Sequence, residues 1–260
     1  MEIKAKENKV RILKAFAIAF STYSKIPMPQ FPWEKEDMKY SLCFFPWVGA
    51  VTGAMIWLWF RISLALELST FTYVLVAAAI PILVTGGFHM DGYMDTMDAF
   101  HSYQPKEKKL EILKDSHIGA FSVIMLVVYV LIYLAGFAQI MDSGSLKVFC
   151  CGFFLSRCLS GLGVVTLKAA KKEGILYTFA DSAGRKIVIC VLCLQMLLCV
   201  LLMVYFSWKA AAAVVTAAIL SFVYYRYRSY KEFGGITGDT AGYFLTICEM
   251  VMVIAAATVC

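Results

Sequence analysis

Three aspartates set the chemistry of this 260-residue chain. Asp91, Asp95 and Asp98 stand in the run Gly86-Gly87-Phe88-His89-Met90-Asp91-Gly92-Tyr93-Met94-Asp95-Thr96-Met97-Asp98, spaced i, i+4, i+7. At about 3.6 residues per turn, that spacing puts all three carboxylates on one helical face. Clustered anions repel one another unless a cation sits among them, and no Lys or Arg occurs between residues 86 and 100 to supply it. Hard divalent ions such as Mg2+ take carboxylate oxygens together with substrate phosphate oxygens. The run therefore predicts a metal and diphosphate site, with a solvated acidic helix face as the plain alternative.

Other stretches could complete such a site. They are Lys114-Asp115-Ser116-His117-Ile118-Gly119, Lys171-Lys172-Glu173-Gly174 with Asp181, and Gly234-Gly235-Ile236-Thr237-Gly238-Asp239-Thr240. Glycine lets backbone amides approach a phosphate, and a helix start favours an anion. Gly86, Gly87 and Thr237 are candidate substrate contacts on this ground, and Asp115 or Asp239 a candidate metal ligand or general base. Lys171 and Lys172 could hold phosphate, although a basic membrane-flanking loop explains them equally well. His89 could orient a phosphate or a carboxylate, or serve as a packing histidine; His101 reads as a loop residue. Arg157 lies within an apolar stretch and so demands an anionic partner, either an Asp of the cluster or a substrate phosphate.

The elements that must position these residues are membrane helices. The chain is 61% hydrophobic and 16% charged, against roughly 45–50% and about 25% in an ordinary soluble domain. Charge-free runs from Tyr40 to Phe60, Leu68 to Met90, Ile118 to Met141 and Ile187 to Trp208 each match the ~20 helical residues that cross a bilayer core. This excludes a soluble enzyme, a disordered tail and a small disulfide scaffold. The pattern predicts an all-α polytopic integral membrane protein, one membrane-embedded domain over 1–260. Its seven spans fall near 42–64, 69–88, 118–140, 148–167, 187–206, 208–225 and 240–259, with Arg157 and Glu249 turned inward. Of the 24 Lys and Arg, only Arg61, Lys147 and Lys209 fall on the other side from the rest, and Arg157 is within a span. The positive-inside rule then places the N-terminus and the three chemistry-bearing loops in the cytoplasm. That distribution explains the net charge of +6 without nucleic acid.

Ahead of the first span, Val10, Leu13, Ala17 and Phe20, or Ile12, Phe16 and Ala19, predict an amphipathic surface helix beside Arg11 and Lys14. Pro27, Pro29 and Pro32 then break it, no cleavable signal is evident, and Trp33 and Trp47 suit the membrane interface. Gly49 and Gly53 form a GxxxG suited to close packing within the fold. The nine cysteines, including Cys260 and the Cys190-x-x-Cys193 pair, read as small apolar core residues rather than metal or redox sites.

In order along nearly the whole chain, these motifs resemble the membrane-bound cobalamin synthase family, adenosylcobinamide-GDP ribazoletransferase. The resemblance rests on Lys25-Ile26-Pro27-Met28-Pro29, Phe45-Pro46-Trp47-Val48-Gly49, Gly86 to Asp98, Ile112-Leu113-Lys114-Asp115-Ser116 with Gly119, Ser156-Arg157, Glu173-Gly174 and Gly234 to Asp239. Family members usually carry Gly and Arg where this chain has Ala99 and His117. The resemblance implies a Mg2+-dependent transferase joining adenosylcobinamide-GDP to α-ribazole or α-ribazole 5′-phosphate, with GMP released and adenosylcobalamin or its phosphate formed. It implies a bacterial cytoplasmic (inner) membrane protein whose active site faces the cytoplasm, with those two substrates and the lipid bilayer as partners; no motif specifies an oligomeric state. In this reading Asp91, Asp95 and Asp98 bind the metal, Asp115 or Asp239 is a metal ligand or general base, and Gly86, Gly87, His89, Arg157, Lys172 and Thr237 contact substrate. The competing classes are an ion-coupled transporter, which would also explain buried charges, and a lipid-head-group phosphotransferase, which shares the triple-Asp motif.

Overall fold

A computed structural model describes residues 2–140 and 142–259, with side chains from Val10 onward. Among the described residues it is entirely helical apart from one isolated bridge between Ala169 and Ile236. The helices are α1 (Glu2–Tyr23), α2 (Lys35–Met38), α3 (Phe45–Ala65), α4 (Thr70–Thr85), α5 (Phe88–His101), α6 (Lys106–Ile112), α7 (Ala120–Ala138), α8 (Ser143–Thr166), α9 (Ile175–Ser182), α10 (Arg185–Phe206), α11 (Trp208–Phe233) and α12 (Gly238–Ala257). Six of them, α3, α7, α8, α10, α11 and α12, are long and apolar enough to cross a membrane. Helices α4 and α5 pass the same test only together and meet at 93°. The protein is thus a multi-pass membrane protein with six or seven spans.

The helices are arranged around α8, which is 83% buried inside the bundle, whereas α10 is 22% buried and α7 28%. The outward faces of α7 and α10 carry exposed Ile, Val and Leu, such as Val127, Leu131, Leu194 and Leu201, where lipid replaces water. Gly49 and Gly53 do pack within the fold. A Cβ at either position would run into the α8 backbone at Phe153 or Cys150, so their absence lets α3 and α8 touch main chain to main chain. In α1, Ala15 and the stretch from Ala17 to Phe20 are buried and Phe16 is half-buried, while Val10, Ile12 and Leu13 stay exposed as an apolar edge.

The span expected at 69–88 is instead the 16-residue α4, which stops at Thr85 and turns through 93° into α5. The other spans end within a few residues of the sequence expectation, with two differences that have local causes. Helix α8 begins at Ser143 rather than near 148 because the Asp142 carboxylate caps it, accepting the Gly144 and Ser145 amides at 2.7 Å each. Helix α11 continues past 225, carrying Arg226, Arg228, Lys231 and Glu232 beyond its apolar part, and stops at Gly234 in the left-handed region. The cysteine reading is corrected in part. Cys43, Cys150, Cys158, Cys199 and Cys248 are buried, but Cys190 and Cys193 are exposed on α10, facing outward rather than into the core. Cys260 lies outside the described residues.

Candidate active site

The acidic run folds as α5, as the i, i+4, i+7 spacing requires, and α5 lies against the start of α12. Two glycines make that approach possible. A Cβ at Gly92 would come within 2.8–2.9 Å of the Asp239 backbone, and one at Gly242 within 2.9 Å of the His89 carbonyl. Close contact of the two helices sets Asp239, in the first turn of α12, beside the acidic face of α5. Asp95 lies within electrostatic reach of Asp91, Asp239 and Asp98 together. The start of α12 is held by a capping box in which the Thr237 hydroxyl accepts the Thr240 amide while Thr240 Oγ1 accepts the Thr237 amide at 2.8 Å.

A cavity of about 460 Å3 opens above this junction. Asp91 and Gly92 of α5 and Thr237, Gly238 and Asp239 at the start of α12 line one side; Leu113 and Lys114 after α6, Lys171, and the stretch from Glu173 to Tyr177 line the other. The three loops are physically tied. Ile236 donates its amide to the Lys168 carbonyl at 2.9 Å, Ala170 donates to the Ile236 carbonyl at 2.8 Å, and Lys114 pairs with Glu173 at 2.6 Å. Gly235 is required there because a side chain would strike the Lys168–Ala170 backbone. Lys171 donates to the Leu110 carbonyl at 2.8 Å. Burial, and secondarily the charge of Lys114, holds the Lys171 amine below the usual lysine range.

The donor set fits a hard divalent ion of one particular kind. Among the described residues, none of Asp91, Asp95, Asp98 and Asp239 forms an ion pair within 4 Å, and no three His, Cys, Asp or Glu side chains converge closely enough to cage an ion alone. Unpaired carboxylates beside an open cavity suit an ion that completes its shell with substrate phosphate oxygens, as Mg2+ does, rather than a closed structural site.

The sequence profile of cobalamin-5-phosphate synthase matches residues 15–257. This chain belongs to that family. Curated relatives named adenosylcobinamide-GDP ribazoletransferase include one from Lachnoclostridium phytofermentans, 43% identical over 92% of this chain and 91% of its own length. Others from Listeria monocytogenes and Clostridium perfringens are 32% and 29% identical over 88% and 91% of this chain and 92% and 94% of theirs. No solved structure matches the chain.

Within this cobalamin-5-phosphate synthase relative, several expected site residues take different places. Arg157 does find an anion, but neither an α5 aspartate nor open space for a phosphate. It is 1% exposed and pairs with Glu249 of α12 at 2.6 Å, with Ser156 and the Phe153 carbonyl completing its contacts. Asp98 turns its carboxylate to the start of α7, accepting the Gly119 and Ser122 amides at 2.8 and 2.9 Å, and does not line the cavity. Asp115 is exposed on its loop and held by its own neighbour. The His117 amide lies 3.0 Å and its ring nitrogen 2.6 Å away, and both keep the carboxyl below its usual range. Of the two candidate bases, Asp239 is the one that lines the cavity.

His89 is buried in the first turn of α5 between the Tyr23 and Phe45 rings, with Nε2 unpartnered, on the Arg157 side rather than the Asp91 side. Lys172 is exposed and does not line the cavity, whereas Lys171 and Lys114 do. Thr237 lines it as expected. Gly86 and Gly87, with φ of 64° and 80°, make the corner between α4 and α5 and border a separate cleft. Lys109, which belongs to no motif in the sequence, pairs with Glu232 of α11 at 2.6 Å and is 7% exposed. Its signal was helical phase: Lys109 stands one turn before the buried Leu113.

Proposed function

We propose that this protein joins adenosylcobinamide-GDP to α-ribazole or α-ribazole 5′-phosphate, releasing GMP, in the nucleotide-loop assembly of cobalamin. The observation that carries the reading is the meeting of unpaired Asp91 and Asp239 at one cavity whose opposite wall carries Lys114 and Lys171. A diphosphate needs that division. Lys171 and Lys114 offset charge on the guanylyl side, and the α12 start presents amides and the Thr237 hydroxyl to the remaining oxygens. Mg2+, if held by Asp91 and Asp95 together with oxygens of the substrate, would supply neutralisation of the diphosphate and of the departing GMP.

The chain's residues do the rest by positioning. A ribose hydroxyl of the acceptor attacks the cobinamide-linked phosphorus, the bond from that phosphorus to the oxygen of GMP breaks, and GMP leaves with the electron pair. Asp239 receives the hydroxyl proton, as the candidate base that lines the cavity. Asp98 holds α7 against α5, and the Arg157–Glu249 pair fixes α8 to α12 below the site. The whole chain acts as one catalytic domain in the bacterial cytoplasmic membrane, and the basic loops around the cavity support a cytoplasmic opening.

The deciding experiment incubates detergent-purified protein with adenosylcobinamide-GDP, α-ribazole and Mg2+ and follows GMP and the cobalamin product. Equimolar release of both, without sealed vesicles, is the expected result. No product under these conditions overturns the reading, and activity that needs a sealed compartment points to transport.

A further inference from the structure

A second cleft, of about 490 Å3, adjoins the first across Asp91 and Phe88, which line both. Its other walls are the end of α1, with Ser21, Thr22, Ser24 and Lys25, and the α4–α5 corner, with Thr85, Gly86 and Gly87. The arrangement is built rather than incidental. Lys25 donates its amide to the Val84 carbonyl at 2.8 Å, tying the end of α1 to the end of α4. The methylenes of Lys25 lie directly over Gly86, where any side chain would collide with them, and Gly86 also needs its left-handed φ of 64°. Thr22 Oγ1 is shielded from solvent and has no partner. Among the described residues Lys25 forms no ion pair within 4 Å. The Ser24 and Thr85 hydroxyls donate to the Phe20 and Pro81 carbonyls, and the Gly86 and Gly87 amides to the Ile82 carbonyl, so the cleft's uncommitted donors include the Lys25 amine and the Thr22 hydroxyl.

The chemistry of the reaction leaves one group to be placed there. The family's name specifies a product that carries a 5-phosphate. A phosphate present in the product is not the phosphorus that reacts. Attack by a ribose hydroxyl breaks only the diphosphate, and the acceptor's own phosphomonoester passes through with its bonds unchanged. The enzyme must therefore hold three phosphoryl groups, two in the donor and one spectator on the acceptor. Lys114 and Lys171 serve the first cavity and cannot also serve a group on the far side of Asp91.

We propose that the cleft between the end of α1 and the α4–α5 corner is the subsite for the acceptor's phosphomonoester, with Lys25 as its cation and the Thr22 hydroxyl as a second donor. Acceptor and donor then approach Asp91 from opposite sides, which is the geometry an in-line displacement needs. The inference rests on the proposed transferase reaction and adds to it a way of telling phosphorylated from unphosphorylated acceptor. The same chemistry could be offered by a lipid head-group phosphate, and the test separates the two.

The test measures kcat/KM for α-ribazole 5′-phosphate and for α-ribazole in wild-type protein and in Lys25→Ala, Thr22→Val and Lys108→Ala, in neutral detergent and in vesicles containing phosphatidylglycerol. Lys25 is exposed, so its truncation does not threaten folding. Losing a charge-assisted hydrogen bond lowers the preference for the phosphorylated acceptor by about 10- to 100-fold in Lys25→Ala. Thr22→Val lowers it less, and Lys108→Ala, on the outer side of α6, leaves it unchanged. Inorganic phosphate competes with the phosphorylated acceptor in the wild type and no longer does so in Lys25→Ala. An equal loss on both acceptors, or a loss confined to phosphatidylglycerol vesicles, assigns Lys25 to a lipid head group and overturns the subsite. An unchanged preference overturns it while leaving the transferase reaction intact, and no turnover of either acceptor overturns both.

Discussion

Two groups of charged residues sit at different depths of the same bundle and obey opposite rules. At the loop end, Asp91, Asp95 and Asp239 come together with no cation within 4 Å among the described residues. Deeper in, Arg157 and Glu249 are both almost fully buried, and each is the other's partner at 2.6 Å. The second group is matched in charge, since a buried charge is tolerable when its counter-ion is present, although Arg157 Nε has no hydrogen-bond partner. The first group has no counter-ion of its own, and the metal-bound diphosphate of the proposed reaction would supply one. Charge within a membrane protein thus points to function where it is left unpaired, and to architecture where it is matched.

The sharpest way to break the comparison is to neutralise one member of the unpaired group. Asp95→Asn or Asp239→Asn lowers kcat/KM for GMP release by about 1,000-fold, because the first removes a charge beside the metal-bound diphosphate of the proposed reaction and the second its proton acceptor. Membrane insertion and thermal stability stay as in the wild type, and near-normal GMP release would remove these residues from the chemistry. Chelation with EDTA likewise abolishes turnover. It leaves the Tm of the substrate-free protein within about 2 °C, since the carboxylates alone do not form a cage and a weakly held ion adds little stability.

The paired group predicts the reverse pattern. Glu249→Ala strands the Arg157 guanidinium in a dry interior and costs about 3–5 kcal/mol of stability. Replacing both partners, Arg157→Met with Glu249→Leu, restores the melting transition to the wild-type range or above it. Thermal unfolding in detergent followed by GMP release on the surviving folded fraction reads both quantities. A double variant that is stable yet has lost turnover would move Arg157 back among the substrate contacts.

The comparison also shows what a sequence discloses. The spans were legible because lipid replaces water around them, and a run of some 20 uncharged residues has no other stable use. The acidic face of α5 was legible because its spacing repeats with the helix and no basic residue interrupts it. The pairing of Arg157 with Glu249 was not, since 92 residues separate them and either could have met another charge; only the packing of α8 on α12 selects the pair. The choice of Lys171 over Lys172 was hidden for a similar reason. Adjacent lysines in a loop are equivalent until the Ala169–Ile236 bridge turns one toward Leu110 and the other to solvent.

Lys171 gives a milder test on the cavity's cationic wall. Lys171→Met raises the donor KM by about 10-fold, the loss of one charge-assisted contact. The pH dependence has a definite sign. Burial and the neighbouring Lys114 lower the affinity of Lys171 for its proton, so its charge disappears at a lower pH than that of a free lysine. In the wild type the donor KM therefore rises on the alkaline side, and Lys171→Arg, which keeps its charge, moves that rise to higher pH. A donor KM that is flat with pH in both proteins would place the diphosphate elsewhere.

The smallest effect divides the three aspartates of α5 among themselves. They are equivalent by spacing, but Asp98 spends its oxygens on Gly119 and Ser122, and a side chain at Gly119 would collide with its carboxylate. Its position is that of a negative charge at the start of α7, worth about 1 kcal/mol as a cap. Asp98→Asn keeps one acceptor oxygen, loses the charge and gives up one of the two amide contacts. Stability falls by about that amount, and turnover stays within about 10-fold of wild type while Asp95→Asn, one helical turn away, is nearly inactive. Parallel thermal unfolding and GMP-release assays of the two variants make the distinction. If both lose activity alike, the three carboxylates act as one metal site and the α7 cap is secondary. If Asp98→Asn keeps its activity, the motif combines two functions, with Asp91 and Asp95 turned to the substrate and Asp98 fastening the helix that carries them.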